Sequence, residues 1–573
     1  METVEQVNKR HLSDRDTTSS TSIFLCILIV VAVIARFFVA FNYEVNWDEF
    51  YYLSFVHRFI NGEVINSFQT FHIHFFTWLS GVSDNDVDQI IVARVVMVFF
   101  QLLTGFYLYK LCRLYCSKSA ALFAVLAYFS FVYNVRMGAS FRTDPIATCM
   151  IMAALYYVFS TTFSWRVSIL AGVLTAVALL VTLKTALYIP TFIGIVLTSL
   201  YWSRNRKRYF RQVLMYGVAI LVAFAMLYSW HYFSIHGASS VGDAGTMFGA
   251  ADKTLNQREL FPRLFYFVHS VSTNSWYWLA LFIGIGTAVY ACFSQKLLSR
   301  ESSIKFLCLS LLLFTLFFYR NAFPYYYAFM LAPVSALFAV AWVGIQNFTN
   351  ARVAQFFNFI VPCLFAVSIV VNGFVLPIKS NLAYQRQFLD EVHKIFPQPV
   401  AYIDRCSMVP TFSKQGFFMS TWGYEDYIAR NIPVIRNAIE QDNPAFVLVN
   451  SHYLDVFGPD KTDKGLLRQD IQALRQNYIH HWSHLYVAGK TFELTPNSLS
   501  REVKVNIEGV YTLEASNSLL INGKVWLAGQ ARYLARGVYE LVSKEPGKVV
   551  LRWGDNLYRP RNLEEKQRLF TGF

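Results

Sequence analysis

The sequence predicts an α-helical polytopic membrane protein with about eleven transmembrane helices, followed by a C-terminal extracytoplasmic domain that begins as α/β and ends as a small β-sheet. Three observations point there. Of the 573 residues, 55% are hydrophobic and 15% charged, a balance too apolar for a string of soluble domains. The apolar residues are gathered into runs of bilayer-spanning length. The basic residues between those runs, among them Lys110, Arg113, Arg166, Arg204, Lys207, Arg208, Lys296, Arg300 and Arg352, fall on alternate connections, and it is cytoplasmic loops that collect Lys and Arg.

Residues 1–22 are polar, rich in Ser and Thr, and carry Lys9, Arg10 and Arg15. They read as a cytoplasmic tail, because no A-x-A-like cleavage site follows the first apolar run. That run, residues 23–41, is the first span and leaves the chain outside. Runs at 90–111, 120–133, 145–159, 167–183, 186–202, 213–232, 276–293, 306–318, 326–343 and 356–376 complete a transmembrane domain over 23–376. An odd number of crossings from a cytoplasmic start places everything after residue 377 outside, in agreement with the basic loops lying inside. Exterior loops are expected at 42–89 and 234–275.

In the C-terminal part, 377–500 reads as α/β, with a helix over 381–395 and short apolar strands at 400–404 and 445–450. Residues 501–573 read as a β-rich module, with strands at 503–506, 510–513, 524–527 and 549–553 and an Asn522-Gly523 hairpin turn. Of eight cysteines only Cys406 falls in this domain, so it has no internal disulfide. The net charge of +14 does not signal nucleic acid, since the basic residues are dispersed over loops and a nucleic-acid binder concentrates them in one patch.

Candidate chemistry collects on the outer side. The first exterior loop opens Asn46-Trp47-Asp48-Glu49-Phe50-Tyr51-Tyr52. Adjacent carboxylates at a low-dielectric surface repel one another, which suits one of them to take a proton from a hydroxyl; a helix N-cap by Asp48 or a solvated loop is the plainer reading. Arg142 and Asp144 precede the span at 145, Lys184 interrupts the fifth and sixth spans, and Arg320 ends the ninth. Arg94 and Arg136 also fall near outer helix ends. Snorkelling explains any one of these, but several together beside acids run against the positive-inside rule and describe an anion site.

The acid pair after the first span, the His72-x-His74 stretch in the same loop, Arg142-Thr143-Asp144 and Phe323-Pro324-Tyr325-Tyr326-Tyr327 together resemble the polytopic GT-C glycosyltransferases. The likeness is to bacterial relatives of protein O-mannosyltransferases and of the aminoarabinose transferases of lipid A, and it covers residues 37–343. It implies an enzyme of the plasma membrane that takes a sugar from a polyprenyl-phosphate carrier and transfers it, outside the cytoplasm, to a hydroxyl of a lipid, glycan or protein. By the resemblance Asp48 is the catalytic acid of the first loop and Asp144 the second acid, which follows an Arg. His72 stands where many members carry His-Pro-Pro, but here Ile73 and His74 replace the prolines.

Inverting transfer needs a base on the attacking hydroxyl and charge stabilisation on the departing phosphate. Asp48 is the candidate base, with Glu49 beside it. Arg142, Lys184 and Arg320 are candidates to hold the phosphate. His72, His74, Tyr325, Tyr326 and Tyr327 are candidates to line the lipid or sugar. No cofactor is certain; a divalent metal is left open, since His-x-His on an extended strand puts both rings on one face, against a structural role for the pair. The competing function is a transporter or flippase of lipid-linked or envelope components, because intramembrane charges also mark transport pathways.

Overall fold

The computed structural model describes residues 19–64, 66–160, 164–235, 260–295, 297–458, 465–561 and 567–571. Most of the expected tail over 1–22, and the part of the 234–275 loop between 236 and 259, lie outside the described residues.

Each of the eleven apolar runs is helical. Among the described residues six helices are individually long and apolar enough to cross a membrane, beginning with Ser20–Asn42 and Asp86–Arg113. The pair Pro324–Val334 and Ala336–Phe348, bent by 51°, makes a seventh when counted as one span. Pro333, inside the first of these, cannot donate to the helical ladder, and the bend follows it. Lys118–Ser130, Thr143–Phe159 and Trp165–Val181 are shorter apolar helices. The run expected at 306–318 divides into an α-helix, Arg300–Leu309, and a 3-10 helix, Ser310–Phe317. A 3-10 helix rises about 2 Å per residue against about 1.5 Å for an α-helix, so these 18 residues reach roughly 31 Å, the thickness of a hydrocarbon core.

What faces outward is apolar. The helix Arg206–Ser234 buries only Gln212, Tyr216 and His231 and leaves Phe210, Leu221, Met226 and Phe233 exposed, a surface suited to lipid and not to water. Inside the bundle small residues bring backbones together. A Cβ on Gly284 would lie 2.2 Å from the Leu337 carbonyl oxygen, so the helices Ser275–Ser294 and Ala336–Phe348 meet without a side chain between them.

The C-terminal domain carries strands β1 (Tyr402–Ile403), β2 (Lys414–Gln415), β3 (Phe446–Leu448), β4 (Tyr478–Trp482), β5 (Leu485–Leu494), β6 (Ser500–Val505), β7 (Gly509–Ala515), β8 (Leu519–Ile521), β9 (Lys524–Trp526), β10 (Ala531–Leu534), β11 (Gly537–Val542) and β12 (Gly547–Trp553). One sheet runs β10-β7-β12-β5-β3-β1-β2 with β4 added on β5, and a second runs β6-β11-β8-β9. β1 is parallel to β2 and β3, while the other pairings are antiparallel. The hairpin at Asn522-Gly523 forms as expected, with both residues at positive φ (46° and 77°), the type I′ geometry that Asn-Gly tolerates. The division expected at residue 500 falls within a continuous structure: β5 pairs with β3 through Leu485–Val487 and with β12 through Gly489–Leu494.

This domain is seated on the bundle. Gln385, in the helix Leu382–Ile395, accepts from the Val45 amide (2.7 Å) and donates to the Val45 and Leu569 carbonyls (2.9 and 2.7 Å). His393 pairs with Asp86 (3.0 Å) and Arg386 with Asp88 (2.8 Å).

Candidate active site

The segment that follows the first span opens with a helix, Trp47–Ile60, and its start explains the site. Asn46 Oδ1 accepts from the Asp48 amide (3.1 Å) while Glu49 Oε2 accepts from the Asn46 amide (2.9 Å), a capping box. The cap is therefore Asn46 and not Asp48. This leaves the Asp48 carboxylate for other partners.

The two adjacent acids face different arginines. Glu49, 1% exposed, receives Arg94 Nε (2.8 Å), Arg94 Nη2 (2.6 Å) and the amides of Phe141 (2.6 Å) and Asn46 (2.9 Å). Arg94 spends its remaining donors on the carbonyls of Tyr43 (2.7 Å) and Glu44 (2.8 Å). A buried pair of this kind holds only when every donor and lone pair is used, and here they are. Glu49 thus has no free lone pair with which to take a proton from a substrate, which corrects its expected place among the catalytic acids, and Arg94 is locked in rather than snorkelling.

Asp48, 15% exposed, accepts from Arg142 Nη1. Arg142 stands at the N-cap of the helix Thr143–Phe159, and its Nε lies 3.3 Å from Asp144 Oδ2. Asp144 Oδ1 accepts in turn from Lys184 Nζ, carried by the 3-10 turn Leu183–Tyr188 that breaks the chain between two spans. The Tyr325 ring lies beneath both cations, 3.5 Å from Arg142 Cζ and 5.0 Å from Lys184 Nζ, and the Tyr52 ring lies 5.6 Å from Arg142 Cζ. Such cation–π contacts strengthen when desolvated. The quartet is a chain with buried centres, Arg142 and Asp144, and two more open ends, Asp48 and Lys184.

Three expectations are corrected. Arg320 does not join Arg142 and Lys184: its guanidinium binds Glu425 of the C-terminal domain and lies 6.0 Å from the Trp422 ring. Of the three tyrosines only Tyr325 reaches the quartet. Tyr326 donates or accepts with Thr315 Oγ1 (2.6 Å), and Tyr327 stacks on Phe131 (5.7 Å), both in the bundle core and not along an open groove. His72 and His74 lie in a 3-10 helix, Phe71–Phe75, not an extended strand. His72 packs edge-on to Tyr52 (5.2 Å), and His74 Nε2 meets His231 Nδ1 (2.7 Å), tying the loop to the helix Arg206–Ser234. Burial pushes both rings down to about 4, so neither carries charge near neutrality. Among the described residues no three His, Cys, Asp or Glu side chains converge in a way that would hold a metal ion.

The C-terminal domain adds residues that sequence reading did not connect with the site. Arg405 Cζ lies 4.0 Å over the Trp47 ring, Phe418 stacks on Tyr51 at 4.0 Å, and Phe570 packs edge-on to Trp47 and Phe50. These contacts join positions hundreds of residues apart, and no local motif announces them.

Residues 70–233 match the sequence profile of the family described as dolichyl-phosphate-mannose-protein mannosyltransferase. No curated protein sequence matches the chain. Among solved structures, ArnT from Cupriavidus metallidurans bound to undecaprenyl phosphate superposes with a TM-score of 0.53 at 12% identity, over 75% of this chain and 93% of that one. The same protein in the apo state gives 0.51 at 14% identity, over the same shares. Archaeal oligosaccharyltransferase AglB from Archaeoglobus fulgidus, in complex with an inhibitory peptide and a dolichol-phosphate, gives 0.49 at 10% identity over 95% and 98%. The chain has the GT-C fold of polytopic membrane glycosyltransferases.

Proposed function

We propose that this multi-pass membrane protein is a glycosyltransferase that moves a sugar from a polyprenyl-phosphate donor to a hydroxyl acceptor, by one inverting displacement on the extracytoplasmic face of the membrane. The observation that carries the reading is the quartet Asp48–Arg142–Asp144–Lys184. A carboxylate stands at one open end, a lysine at the other, and the rigid span between them is fixed by Asp144 and the Tyr325 ring.

The chemistry follows from that order. The acceptor hydroxyl attacks the anomeric carbon, its proton passes to an Asp48 oxygen, and the carbon–oxygen bond to the phosphate breaks with its electron pair going to the phosphate. Lys184 uses one of three N–H donors on Asp144 and has others for the leaving oxygens, and Arg142 holds Asp48 in place through Nη1 while its Nε stays on Asp144. Asp144 orients both cations. Glu49 and Arg94 fix the helix that carries Asp48. The profile match and the shared fold support the same reaction class.

The test is transfer by the purified full-length protein from an undecaprenyl-phosphate-linked sugar of known anomeric configuration, with the product configuration read by NMR. Inversion is expected. Retention would remove the single displacement; tight binding of the lipid with no transfer to any hydroxyl, water included, would favour a carrier or flippase.

A further inference from the structure

The quartet contains two carboxylates and two cations, so it closes on itself with no net charge, and an incoming phosphate brings negative charge to it. One cation beside the site is not consumed in this way. Arg405 follows β1, and its Cζ lies 4.0 Å over the ring of Trp47, the chain neighbour of Asp48.

The turn that presents Arg405 is rigid. The Asp404 carboxylate accepts from the amides of Cys406 (3.1 Å), Ser407 (2.8 Å) and Met408 (2.7 Å) and from Asn450 Nδ2 (2.9 Å). Asn450 Oδ1 accepts from the Arg405 amide (3.0 Å), and Ser407 holds a left-handed backbone (φ 62°). The acid next in sequence to Arg405 is thereby spent on its own turn. Among the described residues Arg405 has no carboxylate partner, and its Nε is buried without an acceptor. Arg94, Arg142 and Arg320, by contrast, are each paired with an acid. The stacking of Phe418 on Tyr51 and the Arg320–Glu425 pair hold the domain over the helix Trp47–Ile60, which fixes where Arg405 stands.

We infer that Arg405 is a binding residue for a phosphate-class oxyanion of a substrate, received beside Asp48 from the C-terminal domain. A guanidinium held over an indole face by a cation–π contact still has its N–H donors for phosphate oxygens. The inference rests on the transferase reading only for which lipid supplies the oxyanion: the polyprenyl phosphate of the donor, or a phosphate of an anionic acceptor lipid.

The experiment measures equilibrium binding of undecaprenyl phosphate, uncharged undecaprenol and phosphatidylglycerol to full-length wild type, Arg405→Gln and Arg405→Lys in detergent, each checked for a monodisperse profile and a cooperative thermal transition. Wild type is expected to favour undecaprenyl phosphate over undecaprenol at least tenfold. Arg405→Gln should reduce that margin several-fold, leaving what Lys184 contributes, and Arg405→Lys should lose less of it. A loss confined to phosphatidylglycerol would support the inference and assign the oxyanion to the acceptor. If Arg405→Gln binds both charged lipids as wild type does, Arg405 is not the site. If wild type itself shows no preference for either charged lipid, the donor assignment of the transferase reading falls together with the inference.

Discussion

Glu49 and Asp48 are neighbours in different surroundings: Glu49 is closed in by Arg94, while Asp48 stands at an open end of the quartet. Removing the charge of Glu49 strands the buried Arg94 guanidinium, a loss on the order of 3–5 kcal/mol. Glu49→Gln should therefore lower the thermal midpoint in detergent clearly, while Asp48→Asn, at an open end of the quartet, should unfold close to wild type. A Glu49→Gln midpoint equal to wild type would remove the structural role. The histidines give a pH signature. Burial depresses His72 from an ordinary value near 6.5 to about 4, so the folded state stays neutral where the unfolded chain already binds a proton. Its contribution is fully present above about pH 6.5 and is lost as pH falls toward 4, on the order of 3 kcal/mol. The midpoint should drop over that window, and less so in His72→Gln; equal slopes would contradict this. Asp48 was legible from its pairing with Glu49, and Arg142 and Lys184 from lying beside acids at helix ends expected on the outer side, where the positive-inside rule disfavours cations. Arg320 carried the same signal, but its partner Glu425 lies 105 residues away. The three tyrosines could not be resolved by composition, since successive residues of a helix point about 100° apart and only one of a run faces a given site.

The spanning helices were legible from apolar runs, and β1, β3, β6, β7, β9 and β12 from short apolar or alternating stretches, whereas β2, β4, β5, β8, β10 and β11 were not expected. Several junctions were not legible either. The extended reading of His72-x-His74 failed because two residues of spacing suits a strand, whereas Phe71, Ile73 and Phe76 all become buried by winding into a short 3-10 helix. Just ahead of the boundary expected at 500, β5 is one long strand that pairs with β3 in one half and with β12 in the other. The segment over 567–571 is a further case: Thr571 binds Glu44 through its amide and hydroxyl, Leu569 accepts from Gln385, and Phe570 fills the space under Trp47 and Phe50. It braces the start of the Asp48 helix from below. Phe570→Ala should thus lower the transfer rate by about tenfold or more through misplacement of Asp48, with the KM for the lipid donor near wild type. An unchanged rate would reduce the segment to packing.

At the scale of the whole molecule, alternate basic loops and an odd number of apolar runs argue that the C-terminal domain and the quartet share the outer face of the membrane. A reporter active only outside the cytoplasm should be active after Phe573 and silent after Arg208; the reverse pattern would invert the topology. In the proposed account, the domain's seat over the helix Trp47–Ile60 makes the site a joint product of bundle and domain, Asp48 coming from one and Arg405 from the other. The most direct test of this account is single-turnover transfer from undecaprenyl-phosphate-linked sugar by the full-length protein in proteoliposomes, comparing wild type with Asp48→Asn, which keeps its shape but cannot accept a proton. Transfer by wild type and a fall of about a hundredfold to ten-thousandfold in Asp48→Asn, with lipid binding retained, is the predicted result. Transfer by Asp48→Asn at the wild-type rate would contradict it.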